Sequence, residues 1–236
     1  MTESAASATP RPHDRTAGLF YLLTMVAGVA ALGMVGNLIV TNDPAATAAN
    51  ILTHEVSYRL YYVANLVADL SYVVVTALFY HLFKPVNRSL SLTAAFVSVV
   101  GCSLGAVSNT LDLTPFSLLK DASFASSFQA QQVQALAYTF LRVGNQAYST
   151  GLVFFGIYCL SIGTLVFKST FLPRWIGAAM MFAGLGWLTH LWPPLSRSLG
   201  MFGYLPGFIG EGSLTVWLLV KGVNLERWRA RAAVSD

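Results

Sequence analysis

Three charged residues stand inside long apolar stretches of this chain: Asp69, Arg142 and Glu211. At membrane depth such a side chain costs about 2.5–3.5 kcal/mol on insertion scales, so it faces the interior of a helix bundle and finds a partner there. The simplest pairing sets Arg142 against Asp69 or Glu211. We expect these groups to bind a small molecule or an ion, with the two acids and the guanidinium as its charged anchors.

The neighbouring polar residues fall on the same helix faces. At 100° per residue, each of the three helices that carry these charges has a single polar stripe, the pattern of a face that looks into a bundle. Counting about 1.5 Å per residue places most of these side chains in the outer half of the bundle, and mostly apolar sequence lies below. The predicted ligand-binding residues are Tyr62, Asn65, Asp69, Arg142, Asn145, Gln146, His190 and Glu211.

Two other functions fit the same residues. The pairs and amides can simply hold helices together in a structural or partner-binding membrane protein. An intramembrane hydrolase-type enzyme is less favoured, because His190 is the only histidine in the expected cavity and a zinc site typically needs three protein ligands. We therefore predict no catalytic residues, no metal and no cofactor.

The elements that position these residues follow from hydropathy. The 236 residues have a mean hydropathy of +0.60 and only 10% charged residues, against about 25% in soluble domains, which excludes a soluble fold. Crossing about 30 Å of hydrocarbon takes roughly 20 helical residues. Six stretches qualify, and each must be helical because a lone strand leaves backbone groups unpaired in lipid. They are 17–40, 60–83, 89–111, 134–167, 175–196 and 201–220.

Basic residues predict the orientation, because short cytoplasmic loops retain Lys and Arg. Of the 14 Lys and Arg, ten fall on the side of the amino terminus, three on the other side, and Arg142 within a span. The prediction is an all-α bundle of six spans (17–223) with both termini cytoplasmic. Residues 1–16 form a disordered tail and 224–236 an interfacial tail. The positive charge is thus a topology signal and not a nucleic-acid patch.

Several short motifs resemble a known family. They are Leu-Pro-Arg-Trp at 172–175, Trp-Leu-Leu-Val-Lys-Gly at 217–222, and the segments 84–88, 154–160 and 183–186. Together they resemble the bacterial integral membrane family catalogued as domain of unknown function 4386, over about 17–223. The resemblance implies a protein of the cytoplasmic membrane and no assigned activity. In that family the position of Tyr158 is often histidine, so no histidine role is expected there.

The sequence thus predicts a multi-pass membrane protein of uncharacterised activity with an outward-facing polar cavity. Its expected partners are the lipid bilayer and a small-molecule or ion ligand that it binds or transports. The ligand, the oligomeric state and the direction of any transport stay open.

Overall fold

The computed structural model of the protein describes residues 13–121, 123 and 127–235. This part of the chain is helical and contains no strand. It includes two short 3₁₀ segments, Thr189–Leu191 and Gly200–Tyr204. The α-helices are α1 (Asp14–Val35), α2 (Pro44–Thr53), α3 (Glu55–Phe83), α4 (Arg88–Lys120), α5 (Ala130–Lys168), α6 (Arg174–Leu188), α7 (Pro193–Leu199), α8 (Leu205–Val220) and α9 (Leu225–Ser235).

Four of these helices, α1, α3, α4 and α5, are long and apolar enough to cross a membrane. The all-α prediction is therefore confirmed for the described residues. The other two predicted spans coincide with α6 and α8, which have 15 and 16 residues. Helix α1 begins at Asp14, so residues 14–16 of the predicted tail are helical, and residues 1–12 lie outside the described part of the chain.

Helix α4 runs on beyond its predicted end at residue 111, through Pro115 to Lys120. Proline inside a helix removes one backbone hydrogen bond. Here the proline is buried, and the Tyr58 hydroxyl donates to the backbone oxygen of Asp112, one turn before it. Tyr58 also packs with Phe116 and Leu141 in a small apolar cluster, so tertiary contacts hold the helix together across the proline.

Local signals set several helix starts. Asp43 caps α2 by accepting a hydrogen bond from the Ala46 N–H (2.9 Å), and Pro44 occupies the first helical position, as the Asp-Pro pair predicts. Asn87 caps α4 by accepting from the Leu90 N–H (2.9 Å). Two links are short: residues 84–87 join α3 to α4, and residues 169–173 join α5 to α6. Each of these helix pairs therefore forms an antiparallel hairpin.

The main core fills one end of the bundle, which we call the basic end because it holds Lys84, Arg88, Lys168 and Arg174. Its fully buried side chains come mainly from α3, α5, α6 and α8. They include Phe79, Phe83, Leu165, Ile176, Met180, Leu214 and Leu218. The buried polar side chains at this end include the hydroxyl groups of Thr76 and Ser98, which bond to each other (2.6 Å). The carboxyl and amide side chains of the interior lie instead toward the opposite end.

Helices α5 and α6 come close together at two pairs of facing glycines, Gly163 with Gly177 and Gly156 with Gly184. On each helix the two glycines are seven residues apart. A Cβ added at Gly177 would lie 2.7 Å from the Gly163 backbone oxygen, and one at Gly184 would lie 2.7 Å from the Gly156 oxygen. Small residues let helix backbones come this close in a membrane. The contact brings Trp187, one turn after Gly184, over the bundle interior.

Replacing Gly177 by leucine should therefore lower stability, by about 1–3 kcal/mol or more, because backbone atoms of α5 cannot move aside as a flexible side chain can. The thermal midpoint of purified protein in detergent measures this. Gly33→Leu is the matched control, since nothing lies within 4 Å of a Cβ added at Gly33. Equal midpoints for the two variants would contradict the close α5–α6 packing.

Candidate functional site

A cavity of about 560 Å³ lies between the helices, on the side of the core away from the basic end. Helices α1, α3, α4, α5 and α8 form its walls, and Trp187 of α6 and Tyr204 reach into it. Most of the surface is apolar. The titratable and amide side chains that line it are Tyr61, Asn65, Asp69, Tyr72, Asn109, Asp112, Tyr138, Arg142, Asn145, Tyr148, Tyr204 and Glu211.

Glu211 closes the floor of the cavity and is 8% exposed. The Tyr21 hydroxyl of α1 donates to its Oε2 (2.7 Å) and the Trp187 Nε1–H of α6 donates to its Oε1 (2.7 Å). The Tyr72 hydroxyl of α3 lies 3.5 Å from Oε2, and the Cys159 thiol of α5 lies 3.9 Å from Oε1. Five helices thus meet at one carboxyl group whose two oxygens both accept hydrogen bonds.

Two further carboxyl groups lie along the wall, each against a glycine of a neighbouring helix. Asp69 accepts from the Asn109 amide at Oδ2 (2.7 Å), and a Cβ added at Gly105 would lie 2.8 Å from its Oδ1. Asp112 accepts from the Tyr61 hydroxyl (2.8 Å) and lies in the same way against Gly144. The glycines make room for the acids between α3, α4 and α5.

Arg142 does not form the predicted pair with Asp69 or Glu211. Among the described residues the salt bridges join Glu55 to Arg59 (2.8 Å) and to Lys120, at the end of the bundle opposite the basic end. The physical reason is depth, because Arg142 lies nine helical residues from the level of Asp69, and neutral donors on neighbouring helices bond Asp69 and Glu211 instead. Arg142 is exposed along the cavity wall and has no acidic partner in this part of the chain.

The lining residues are stacked along the helix axes. On α5 they run from Tyr138 to Phe155, which spans about 26 Å. Asp69 lies one turn above Tyr72, and hence about 4.5 Å above the level of Glu211. A Cβ added at Gly151 would lie 3.9 Å from the Gly105 backbone nitrogen. Arg142, nine residues before Gly151, therefore lies about 13 Å further from the basic end than Asp69.

The structure brings together five of the eight predicted site residues. Asn65, Asp69, Arg142, Asn145 and Glu211 line the one cavity. The other three do not line it: Tyr62, Gln146 and His190, of which His190 lies instead beside the Tyr204 ring (6.3 Å between centroids). Both Tyr62 and Gln146 sit at the margins of their stripes, where an error in helix rotation turns a side chain away from the interior.

Sequence reasoning missed the residues that hold Glu211. Tyr21 and Trp187 stand in mostly apolar stretches, where Thr24 and His190 are their polar neighbours at helical spacing, so periodicity gave only a weak signal for them. An aromatic side chain with a polar tip inside a span was the available clue, since a buried Tyr hydroxyl or Trp N–H usually finds a partner. To the predicted set the structure adds seven titratable or amide side chains on the wall: Tyr61, Tyr72, Asn109, Asp112, Tyr138, Tyr148 and Tyr204.

No group of three or more His, Cys, Asp and Glu within the described residues could hold a metal ion. The acids of the cavity accept hydrogen bonds from amide, phenol and indole groups instead. The arrangement as it stands can hold a polar or charged ligand against apolar walls.

A family model described as Domain of unknown function (DUF4386) matches residues 16–222. An uncharacterized protein of Archaeoglobus fulgidus is 27% identical over 161 residues, which is 65% of this chain and 78% of that protein. No solved structure matches the chain. The matched range includes the whole cavity, so the cavity lies within the part of the chain that defines the family.

The hydrogen bond between Tyr21 and Glu211 should appear as an energetic coupling. We expect Tyr21→Phe and Glu211→Gln each to destabilise the protein by about 1–3 kcal/mol, because each leaves a buried polar group without its partner. The double variant should lose less than the sum, with a coupling of about 0.5–3 kcal/mol. Denaturant titration in mixed micelles measures the free energy of unfolding.

Tyr80→Phe on α3 is the control for loss of a hydroxyl, because no hydrogen bond of the Tyr80 hydroxyl is formed with the residues that the structure describes. It should leave stability almost unchanged. Strictly additive losses in the Tyr21 and Glu211 variants would show that the two groups do not interact.

Proposed function

The chain belongs to the family described as Domain of unknown function (DUF4386), and we propose that it is a six-span membrane protein that binds a small molecule in its cavity. The single observation that carries this proposal is the cavity itself, with ionisable groups from separate helices on its wall and an arginine that no described acid neutralises.

The helical segments support six spans. The 3₁₀ segment Thr189–Leu191 extends α6 directly, and the segment Gly200–Tyr204 precedes α8 without a break. At about 1.5 Å per α-helical and 2.0 Å per 3₁₀ residue, the two continuous segments reach about 28 Å and 34 Å. Both lengths match the hydrocarbon thickness of about 30 Å.

The charges support an orientation with both termini in the cytoplasm. The residues at the basic end, Lys84, Arg88, Lys168 and Arg174, occupy the two short links, and α9 at the same end carries Arg227, Arg229 and Arg231. Short loops rich in Lys and Arg stay on the cytoplasmic side. The cavity then lies toward the outer face of a cytoplasmic membrane.

This topology is tested by two matched cysteine variants, Ala49→Cys on α2 and Ala230→Cys on α9, both at exposed positions. The native Cys102 and Cys159 are buried and stay in place. A membrane-impermeant maleimide added to intact cells should label Ala49→Cys, and should label Ala230→Cys only after the membrane is permeabilised. The opposite pattern, or labelling of both in intact cells, would overturn the orientation.

A ligand explains the cavity better than helix stapling does. A protein in which the polar groups serve only to join helices would pair its acids with Arg142 and leave no void beside them. Here Glu211, Asp69 and Asp112 do join helices, yet Arg142 and Asn145 face open space. Open space beside these polar side chains is the feature that helix joining alone does not explain.

The cavity is closed on the side of the basic end, so this conformation suits binding and not passage across the membrane. The core at the basic end closes the cavity below Glu211 with fully buried aromatic and aliphatic side chains, among them Phe79, Ile162 and Leu218. A passage to the basic end would require these side chains to separate. The proposal is therefore a site loaded from the side opposite the basic end.

Filling the cavity should abolish binding without unfolding the protein. Asn145→Trp places a large side chain into the void, while Val143→Trp, two residues away on the same helix, is 49% exposed and outside the lining. Purified wild-type protein is screened by thermal shift against amines, amino acids, carboxylates, nucleosides, lipids and divalent metals. A compound that stabilises the wild type should also stabilise Val143→Trp and not Asn145→Trp.

The absence of any stabilising compound would count against a binding function. A compound that still stabilises Asn145→Trp binds elsewhere, which would also overturn the assignment of this cavity.

A further inference from the structure

The lower chamber, by which we mean the part of the cavity between Asp69 and Glu211, has an unbalanced set of charges. Its wall carries the carboxyl groups of these two residues. Asp112, which packs against Gly144, lies about 10 Å above Asp69, near the level of Arg142. Arg142 is the only Lys, Arg or His among the described lining residues, and it lies about 13 Å above Asp69, toward the mouth. A ligand in the lower chamber therefore meets acids and no base.

Of these acids, Asp69 is the one best placed to pair with a ligand. Both oxygens of Glu211 already accept hydrogen bonds, from Tyr21 and Trp187. Asp112 is 8% exposed and held by Tyr61. Asp69 is only partly buried, and Asn109 donates to its Oδ2. Its Oδ1 accepts no hydrogen bond from the residues that the structure describes.

Aromatic rings surround the space beside Asp69. Tyr72 lies one turn below it on α3 and contacts the Phe155 ring (4.6 Å between centroids). Trp187 and Tyr204 form an edge-to-face pair (5.6 Å) on the opposite wall, and Tyr148 completes the lining. Ring faces attract a cation that lies within about 6 Å of their centroids, and cages of such rings beside a carboxylate suit ammonium groups.

We propose that the lower chamber binds a monovalent organic cation, an ammonium or a comparable onium group with an apolar body, whose charge pairs with Asp69. The inference rests on the proposed function, because it names the ligand class of the same cavity. The whole cavity, of about 560 Å³, falls in the range of sites for small organic molecules. The body of the ligand would extend from the lower chamber toward the mouth, along the apolar α1 residues Met25, Val29 and Leu32.

The sign of the charge is tested with two probes of nearly equal size and shape, tetraphenylphosphonium and tetraphenylborate. Saturable binding of each probe to purified wild-type protein is measured by equilibrium dialysis in detergent. We expect tetraphenylphosphonium to bind at least about tenfold more tightly than tetraphenylborate. The Asn145→Trp variant, which fills the void, should lose saturable binding.

The role of Asp69 is tested by comparing Asp69→Asn with Arg142→Gln. Asp69→Asn keeps the shape and removes the charge, and should weaken tetraphenylphosphonium binding by about tenfold or more. Arg142→Gln removes a charge nearer the mouth and should leave that affinity equal or higher. The comparison of the two probes on the wild type remains decisive if Asp69→Asn does not fold.

The results of these binding measurements distinguish a wrong ligand class from the absence of any binding function. Tighter binding of tetraphenylborate, or cation binding that is unchanged in Asp69→Asn, would overturn the organic-cation assignment and leave a binding cavity. Failure of both probes to bind, together with a thermal-shift screen in which no compound stabilises the protein, would overturn the proposed function as well.

Discussion

The hydrogen bonds to Glu211 are the constraint on which the arrangement of this bundle depends. A buried carboxyl group in hydrocarbon must find donors, because an unsatisfied polar group there costs several kcal/mol. Tyr21 and Trp187 supply them from α1 and α6, and Tyr72 approaches from α3. These bonds fix the rotation of four helices about their axes at one level. Below that level the side chains pack into a dry core, and above it the helices leave a cavity.

The acids of the cavity accept hydrogen bonds from neutral side chains, and Arg142 has no acidic partner among the described residues. Each of the three acids in the cavity accepts a hydrogen bond from an amide, a phenol or an indole on a neighbouring helix, and none pairs with Arg142. A salt bridge in a membrane would have neutralised one acid and one base together. Because the acids are held separately, the guanidinium remains as an independent cationic group toward the mouth. The cavity thus carries its cationic side chain toward the mouth and only acids at its floor.

The sequence allowed the helical architecture and the polar faces to be predicted, because hydropathy and the 3.6-residue period are local properties. Asn65, Asp69, Arg142, Asn145 and Glu211 line one cavity for that reason. The pairing of Arg142 with an acid was wrong, because it depends on distances between helices that no local pattern encodes. Tyr21 and Trp187 were missed because their polar atoms are the tips of otherwise apolar side chains. Helix α4 continues past its predicted end at residue 111 and through Pro115, because Tyr58 and Phe116 support that turn.

The glycines show how the bundle makes room for these polar groups without loosening its packing. Gly105 and Gly144 lie against Asp69 and Asp112, and a side chain at either position would strike a carboxyl oxygen. Gly156 and Gly184 do the reverse and bring two backbones together beneath Trp187. The same residue type therefore opens space beside the acids and closes it between α5 and α6. Substitution at the first pair would displace an acid from the wall, whereas substitution at the second pair would move the indole that holds Glu211.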